Sequence, residues 1–276
     1  MATFQEEFDP TEQGLSRANA YWLGRAAALA YEGHAKITKE LASWGMTEHL
    51  FVDAGDTEGF LATDGRCVLL AFRGTEATRI NDWFTDLKIG QVRGPVGEVH
   101  RGFRDALELA WPAVDGWLAK HAARVPLFIT GHSLGGALAV LATAKRRLRG
   151  GNAAPLPVQG LYTFGQPRVG DGRFVGALES DFKFRWFRYV NNNDVVPRVP
   201  KRLMGYADGG IVRYFDEEGD EHDELGFWSK LADALSGRLK DLLRPGTDGI
   251  KDHSMARYLE NLEKAKVREQ RRAKKR

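Results

Sequence analysis

A serine flanked by glycines lies in residues 131–135, whose letters match G-x-S-x-G. Residues 126–130 before it form a short apolar run typical of a strand, and residues 136–142 after it are rich in alanine and leucine, as in a helix. A sharp strand-to-helix turn exposes such a serine, and it requires small neighbours because other backbone comes very close. We therefore expect Ser133 to be a nucleophile, not a chance match among the 31 glycines.

A serine nucleophile needs a base that takes its proton and a carboxylate that orients the base. In α/β-hydrolases, where such a turn carries the serine, the order along the chain is serine, acid, histidine. Only His222 and His253 follow Ser133. His253 lies at a loop-to-helix junction, which suits a base that reaches over a sheet edge. His222 lies in the acidic run 216–224, which is typical of a solvated turn, so we expect His253 to be the base.

Asp194 is the expected acid, because it comes just after the predicted strand 184–190 and a sheet edge of this kind needs a carboxylate there. Asp171 and Asp181 are alternatives, but both fall within or beside a predicted helix. The sequence therefore favours Asp194 as the residue that orients the base.

The negative charge that develops on a substrate oxygen during such a reaction is stabilised by two backbone N–H donors, which form an oxyanion hole. Leu134, the residue after the nucleophile, can supply one of them. Thr75 can supply the other, since it follows the predicted strand 67–72 and Gly74 lets the backbone approach closely. A plain loop with an exposed threonine is the alternative interpretation of that segment.

Strands and helices alternate along the rest of the chain. A helix is predicted over 16–33, capped by Ser16 or Asn19, and a two-residue hairpin turn is predicted at Asp64 and Gly65. The other predicted helices are 102–123, 135–149 and 171–179, and the predicted strands are 49–53, 58–63, 67–72, 126–130, 158–164 and 184–190. This alternation predicts the α/β class: a central, mostly parallel sheet with helices on both faces.

Composition is that of an ordinary globular protein, with 276 residues of which 43% are hydrophobic and 28% charged. We expect a single domain over residues 1–262. Cys67, the only cysteine, lies in an apolar run and is expected to be a small buried hydrophobe. The acidic start of the chain lacks an apolar signal region, and no run of about 18 apolar residues occurs, so a cytoplasmic location is expected.

A basic tail is predicted over residues 263–276. It carries eight basic and two acidic residues, 8 − 2 = +6, which leaves 3 − 6 = −3 for the remainder of the chain. The tail has no aromatic interleaving and no folded module beside it, so no nucleic-acid partner is expected. We interpret it as a solvated extension of the last helix.

Two apolar segments near the expected site could cover it. Ile80, Trp83, Phe84 and Leu87 recur at i, i+3, i+4 and i+7, which predicts one apolar stripe on a short helix. Its position directly after Thr75 favours a lid over about 76–90 that opens at a lipid–water interface, although an ordinary surface helix shows the same pattern. A helical insertion over about 225–245 could roof an acyl groove or form a dimer contact.

Six stretches occur together in one order and resemble a known family. They are FRGT at 72–75, VHRGF at 99–103, TGHSLGGA at 130–137, YTFGQPRVG at 162–170, NDVVP at 193–197 and DH at 252–253. With these motifs the chain resembles the class 3 lipase family of fungal-lipase-type triacylglycerol lipases. The resemblance covers roughly residues 16–262.

The resemblance implies an α/β-hydrolase fold with a short helical lid. It implies a triad of Ser133, Asp194 and His253, oxyanion donors at Thr75 and Leu134, and a structural role for His100 near the turn that carries the serine. The activity implied is hydrolysis of acylglycerol esters through an acyl-enzyme, without metal or organic cofactor. A phospholipase A1, a feruloyl-type or short-chain carboxylesterase, and a non-catalytic binding protein are the alternatives, of which the intact triad disfavours the last.

Overall fold

The computed structural model describes residues 2–74, 90–123, 125–148, 157–223 and 252–273. Seven α-helices lie in these ranges: α1 (Phe4–Glu7), α2 (Arg17–Leu29), α3 (His34–Ser43), α4 (Arg101–His121), α5 (Leu134–Arg147), α6 (Gly172–Phe182) and α7 (Met255–Ala273). Ten strands accompany them: β1 (Glu48–Ala54), β2 (Thr57–Thr63), β3 (Val68–Phe72), β4 (Gln91–Arg93), β5 (Glu98–His100), β6 (Leu127–His132), β7 (Gly160–Phe164), β8 (Trp186–Asn191), β9 (Ile211–Phe215) and β10 (Glu221–His222).

Eight of these strands form one sheet in the order β1-β2-β3-β6-β7-β8-β9-β10. Strands β3, β6, β7, β8 and β9 run parallel, whereas β1, β2 and β10 pair antiparallel at the two edges. Strands β4 and β5 form a separate hairpin. The mostly parallel sheet expected from the alternation of elements is confirmed, and parallel neighbours bring their carboxyl ends to the same edge.

Helices cover both faces of the sheet. Successive residues of a strand point to opposite faces, and in β3 the side chains of Val68 and Leu70 join one hydrophobic core while those of Leu69 and Ala71 join the other. The first core contains the apolar faces of α4, α5 and α6, and the second contains those of α1, α2, α3 and α7. The predicted three-layer arrangement is therefore confirmed.

Most predicted elements occur within a few residues of their expected bounds, but the hairpin between β2 and β3 differs. Thr63 pairs with Val68, so four residues form the loop, not two. The Asp64 carboxylate accepts hydrogen bonds from the backbone N–H groups of Arg66, at 2.9 Å, and Cys67, at 3.1 Å. These bonds stabilise the wider turn, so the two-residue prediction was wrong. Cys67 is buried as expected, and burial raises the pKa of its thiol.

The last helix extends through residue 262 into the segment predicted to be a solvated tail. Lys266 is buried there and its Nζ lies 2.8 Å from a carboxylate oxygen of Glu7, with the Tyr21 ring 3.9 Å away. Arg17 of α2 pairs with Glu269 at 2.6 Å. Part of the basic segment is thus packed against the body of the protein, unlike the solvated extension that its composition predicted. Within the described ranges no helix has the length and apolar character needed to cross a membrane.

Candidate active site

Ser133 occupies the turn between β6, which ends at His132, and α5, which begins at Leu134. Its backbone has φ 57° and ψ −127°, and among the described residues it is the only non-glycine residue with positive φ. Residues other than glycine rarely adopt such a backbone conformation, because it is sterically strained. The surrounding structure must therefore hold Ser133 in place. One restraint is the hydrogen bond from the Ser133 N–H to the carbonyl of Phe164 at the end of β7, 2.9 Å long.

Glycines on both sides of the serine make this turn possible. A Cβ atom at Gly131 would overlap the backbone of Gly135, and one at Gly135 would overlap the carbonyl of Phe72. Gly74, in the segment after β3, is equally crowded: a Cβ there would overlap the carbonyl of His132 and lie 3.1 Å from Ser133 Cβ. The small residues expected from the motif are therefore required by backbone packing.

Asp194 and His253 lie together at the carboxyl ends of the central strands. Asp194 follows β8 by three residues, and His253 precedes α7 by two. The His253 Nδ1 lies 3.0 and 2.9 Å from the two carboxylate oxygens of Asp194, and both side chains are buried. Because a carboxylate only accepts, Nδ1 carries the proton. The other ring nitrogen, Nε2, is then free of hydrogen in the neutral imidazole and can act as a base.

The Asp194 carboxylate is held ionised by its neighbours. Burial by itself would raise its pKa, but interaction with His253 and hydrogen bonds from Tyr258 and Val196 lower that pKa below its ordinary value. The Tyr258 hydroxyl donates to Oδ2 over 2.5 Å, and the Val196 N–H donates to Oδ1 over 2.9 Å. A buried carboxylate with this many donors can carry a negative charge and stabilise a positive imidazolium beside it.

Gly165 lies directly against this acid–histidine pair. It follows β7, the strand between those that precede Ser133 and Asp194, and it has φ 57°. A Cβ at this position would lie 2.7 Å from His253 Nδ1 and 2.8 Å from Asp194 Oδ2. A side chain here would therefore displace the pair. The site thus lies at the ends of three neighbouring strands, with Ser133 after β6, Gly165 after β7 and Asp194 after β8.

Two polar atoms of this site are buried without a hydrogen-bond partner among the described residues: Ser133 Oγ and His253 Nε2. Buried polar atoms are normally satisfied, and a catalytic role is one reason for an exception. In a serine hydrolase these are the two atoms that exchange a proton. The arrangement therefore contains the nucleophile and the base that nucleophilic catalysis requires.

The remaining predicted residues are placed as follows. Leu134 is the first residue of α5, where N–H groups have no partner within the helix and can bind an anion. Thr75, the predicted lid with Ile80, Trp83, Phe84 and Leu87, and the predicted insertion at 225–245 lie outside the described residues. His100 accepts a hydrogen bond from the Phe103 N–H and caps α4, which is a structural contact.

The alternative acids and the alternative base have structural partners away from the pair. The Asp171 side chain caps α6 by accepting from the Phe174 N–H at 2.8 Å. Asp181 pairs with Arg147 on the surface. His222 lies in strand β10, not in the solvated turn expected from its acidic surroundings, and its Nε2 is 2.6 Å from Asp216.

Sequence reasoning missed two contributors, Tyr258 and Gly165. Tyr258 lies 64 residues from Asp194 along the chain and inside a helix, where a tyrosine is more often a core residue than a partner of a carboxylate. Gly165 belongs to a stretch that carries the family resemblance, and that resemblance was its only signal. Neither residue could be placed at the site without the three-dimensional structure.

Known proteins resemble this chain over the region just described. Residues 69–204 match the family described as Lipase (class 3). A triacylglycerol lipase from Arabidopsis thaliana is 30% identical over 249 residues, which cover 69% of this chain and 48% of the relative. A lipase from Rhizomucor miehei is 32% identical over 197 residues, which cover 67% of this chain and 50% of the relative. The chain spans about half the length of these curated relatives.

Solved structures agree with the sequence comparison. The structure of lipase II from Rhizopus niveus matches with a TM-score of 0.57 and 26% identity, covering 73% of this chain and 82% of that chain. The central sheet with helices on both faces is therefore the α/β-hydrolase fold, as expected. The family match contains Ser133 and Asp194 but ends before His253, which the fold brings to the same sheet edge. From its motifs, its fold and these relatives, the chain belongs to the class 3 lipase family.

Proposed function

We propose that this protein is a serine carboxylic ester hydrolase that cleaves acylglycerol esters. Ser133 is the nucleophile, His253 the general base and Asp194 the residue that orients and stabilises the base. The observation that carries the proposal is the buried Asp194–His253 pair, with Nδ1 2.9 Å from Oδ2, at the same sheet edge as a serine in a strained turn.

The chemistry follows from the positions of the protons. His253 Nε2 takes the proton of Ser133 Oγ while Oγ forms a bond to the ester carbonyl carbon, and Asp194 stabilises the imidazolium that results. The negative oxygen of the tetrahedral intermediate accepts from the Leu134 N–H and, by the sequence prediction, from Thr75. When the C–O bond to the alcohol breaks, the imidazolium returns its proton to the leaving oxygen. Water then repeats the cycle on the acyl-Ser133 ester and releases a carboxylic acid.

Lipid esters are supported as the substrate class by the relatives, one of which is named a triacylglycerol lipase. That relative is about twice as long as the region that it shares with this chain. The described site itself contains no feature that selects a glycerol backbone. An assay on both triacylglycerol and phospholipid therefore distinguishes an acylglycerol lipase from a phospholipase.

The test is release of fatty acid from emulsified triacylglycerols of increasing chain length, with phosphatidylcholine vesicles assayed in parallel. We expect release from triacylglycerol by the native protein and none by Ser133→Ala. Release from phosphatidylcholine alone would contradict the acylglycerol assignment and leave an ester hydrolase. No release from any ester, including p-nitrophenyl butyrate, would contradict the proposed chemistry.

A further inference from the structure

His132 stands directly before the candidate nucleophile and has a hydrogen-bond partner for each ring nitrogen. Its Nε2 lies 2.6 Å from the main-chain carbonyl oxygen of His253. Its Nδ1 lies 2.7 Å from the hydroxyl of Tyr31, which follows α2 by two residues. The histidine is buried, so these contacts replace water at both nitrogens.

These partners fix where the protons are. A carbonyl oxygen can only accept, so His132 Nε2 must carry a hydrogen and donate it to His253. Burial, followed by the nearby His253, lowers the pKa of His132 to about 3, which keeps the ring neutral. A neutral imidazole has one N–H, so Nδ1 has no hydrogen and accepts from the Tyr31 hydroxyl. The chain of donors therefore runs from Tyr31 through His132 to the backbone of His253.

This arrangement explains why the histidine next to Ser133 is not the base. Both of its ring nitrogens are engaged, so neither can accept the serine proton. The ring centroids of His132 and His253 are only 4.4 Å apart. Because His132 is neutral, it does not oppose the positive charge that His253 acquires during the proposed reaction.

We infer that Tyr31 and His132 are positioning residues that hold the base by its main chain, while Asp194 holds it by its ring. The inference rests on the proposed function, because the loop at 253 has to be positioned only if His253 exchanges a proton with Ser133. We call the hydrogen-bonded pair of Tyr31 and His132 the Tyr31–His132 arm. It links three parts of the fold that are distant in sequence: the end of α2, the end of β6 and the loop before α7. Misplacing a catalytic group by a small distance lowers the rate without weakening substrate binding.

Two measurements test the arm, and the first does not depend on activity. In protein labelled with ¹⁵N-histidine, with His132 assigned by comparison with His132→Gln, we expect the proton on Nε2 and no titration between about pH 5 and 8. Tyr31→Phe should shift the Nδ1 resonance, since it removes the donor. Tyr21→Phe, a tyrosine of α2 whose ring lies near Lys266, should leave that resonance unchanged. A proton on Nδ1, or titration in this range, would overturn the inference.

The second measurement separates kcat from KM on a soluble p-nitrophenyl ester. Tyr31→Phe is expected to lower kcat by about three- to tenfold with KM unchanged, the effect of losing one neutral hydrogen bond. His132→Gln, which keeps an N–H donor for His253, should retain more kcat than His132→Leu. Equal kcat for Tyr31→Phe and Tyr21→Phe would overturn the positioning role. If the native protein hydrolyses no ester, the proposed function fails, while the proton positions still decide whether the arm exists.

Discussion

At the scale of single residues, the site depends on a charge kept inside the protein. Asp194 is fully buried, a position in which a carboxylate is ordinarily driven to its neutral form. Donors on three sides reverse that tendency: His253, Tyr258 and the N–H of Val196. Tyr258 in turn accepts the N–H of Asn191 at 3.0 Å. The hydroxyl of Tyr258 thus ties the acid to the end of its own strand.

Replacing Tyr258 should show how much its hydroxyl stabilises the ionised Asp194 carboxylate, because that stabilisation depends on pH. The folded pKa of Asp194 is lowered, so its ionised form stabilises the fold above the unfolded pKa of about 3.9, and this stabilisation is lost as pH falls through the folded pKa. Tyr258→Phe removes one donor and should reduce the free energy of unfolding by about 1–3 kcal/mol at pH 7. The deficit should be smaller at a second, acidic pH that lies below the folded pKa of Asp194, where the carboxylate takes up a proton in either protein.

Urea unfolding of both proteins at the two pH values measures this difference. Tyr162→Phe is the matched control, because the buried Tyr162 hydroxyl donates to the backbone carbonyl of Gly14 at 3.1 Å, a group that does not ionise. Its deficit should be the same at both pH values. A Tyr258→Phe deficit that is also independent of pH would show that the hydroxyl does not stabilise the charge of Asp194.

The sequence predicted the three candidate catalytic residues because each stands beside an element with a strong pattern. Ser133 and Asp194 follow apolar strands, and His253 precedes a helix. Tyr258, Tyr31 and His132 act through contacts between residues 64, 101 and 121 positions apart. No local pattern encodes such contacts, which exist only after the helices have packed on the sheet.

At the scale of elements, the turn between β6 and α5 depends on backbone contacts that exclude side chains. Gly135 lies against the carbonyl of Phe72 at the end of β3, the neighbouring parallel strand. This contact lets α5 begin directly at the sheet edge, with its first N–H groups beside Ser133. The same glycine therefore serves both the packing of the helix and the expected oxyanion hole.

A pair of glycine-to-alanine substitutions separates this packing requirement from the ordinary effect of glycine in a helix. Gly135→Ala should destabilise the protein by about 3 kcal/mol or more, since its Cβ would overlap backbone that cannot move independently. Gly176→Ala, in α6, meets no atom within 4 Å and should stabilise by about 0.5–1 kcal/mol. Thermal unfolding of the two variants measures the expected loss of stability in Gly135→Ala and the expected gain in Gly176→Ala. A Gly135→Ala protein as stable as the native one would contradict the packing account.

Element prediction succeeded where apolar periodicity was strong and failed where local polar contacts decided the structure. Strands β3, β6 and β7 are apolar runs and were located to within two residues. Strands β9 and β10 were missed, because the charged Arg213 interrupts the short apolar run of β9 and β10 has only two residues in an acidic stretch. The hairpin after β2 was misjudged, since the Asp64 carboxylate, not the Asp-Gly pair alone, determines its length.

At the scale of the whole molecule, α7 extends from the candidate site along α2. It starts two residues after His253, supplies Tyr258, and packs along α2 as far as the pair between Arg17 and Glu269. One turn before Glu269, Lys266 pairs with Glu7 near the start of the chain, and each side chain is about one-tenth exposed. The composition of residues 263–276 suggested solvation, but the inner face of the helix is packed.

Neutralising one buried cation of α7 should therefore cost more than neutralising an exposed one. Lys266→Gln leaves the largely buried Glu7 side chain without its cation and should lower the free energy of unfolding by about 2 kcal/mol. Lys264→Gln removes an exposed pair with Glu260, one helical turn away, and should cost less than about 0.5 kcal/mol. Equal costs in denaturant unfolding would mean that the inner face of this helix is not packed as described.

The central claim is that Ser133 is a nucleophile activated by His253 and Asp194, and covalent labelling tests it most directly. The native protein is treated with a fluorophosphonate, and the modified peptide is located by mass spectrometry, beside Ser133→Ala and Asp194→Asn. We expect a single adduct on Ser133, none in Ser133→Ala, and labelling slowed by about 10⁴-fold in Asp194→Asn, as for a triad that has lost its orienting acid. An unlabelled native protein, or equal labelling of Ser133→Ala, would contradict the account.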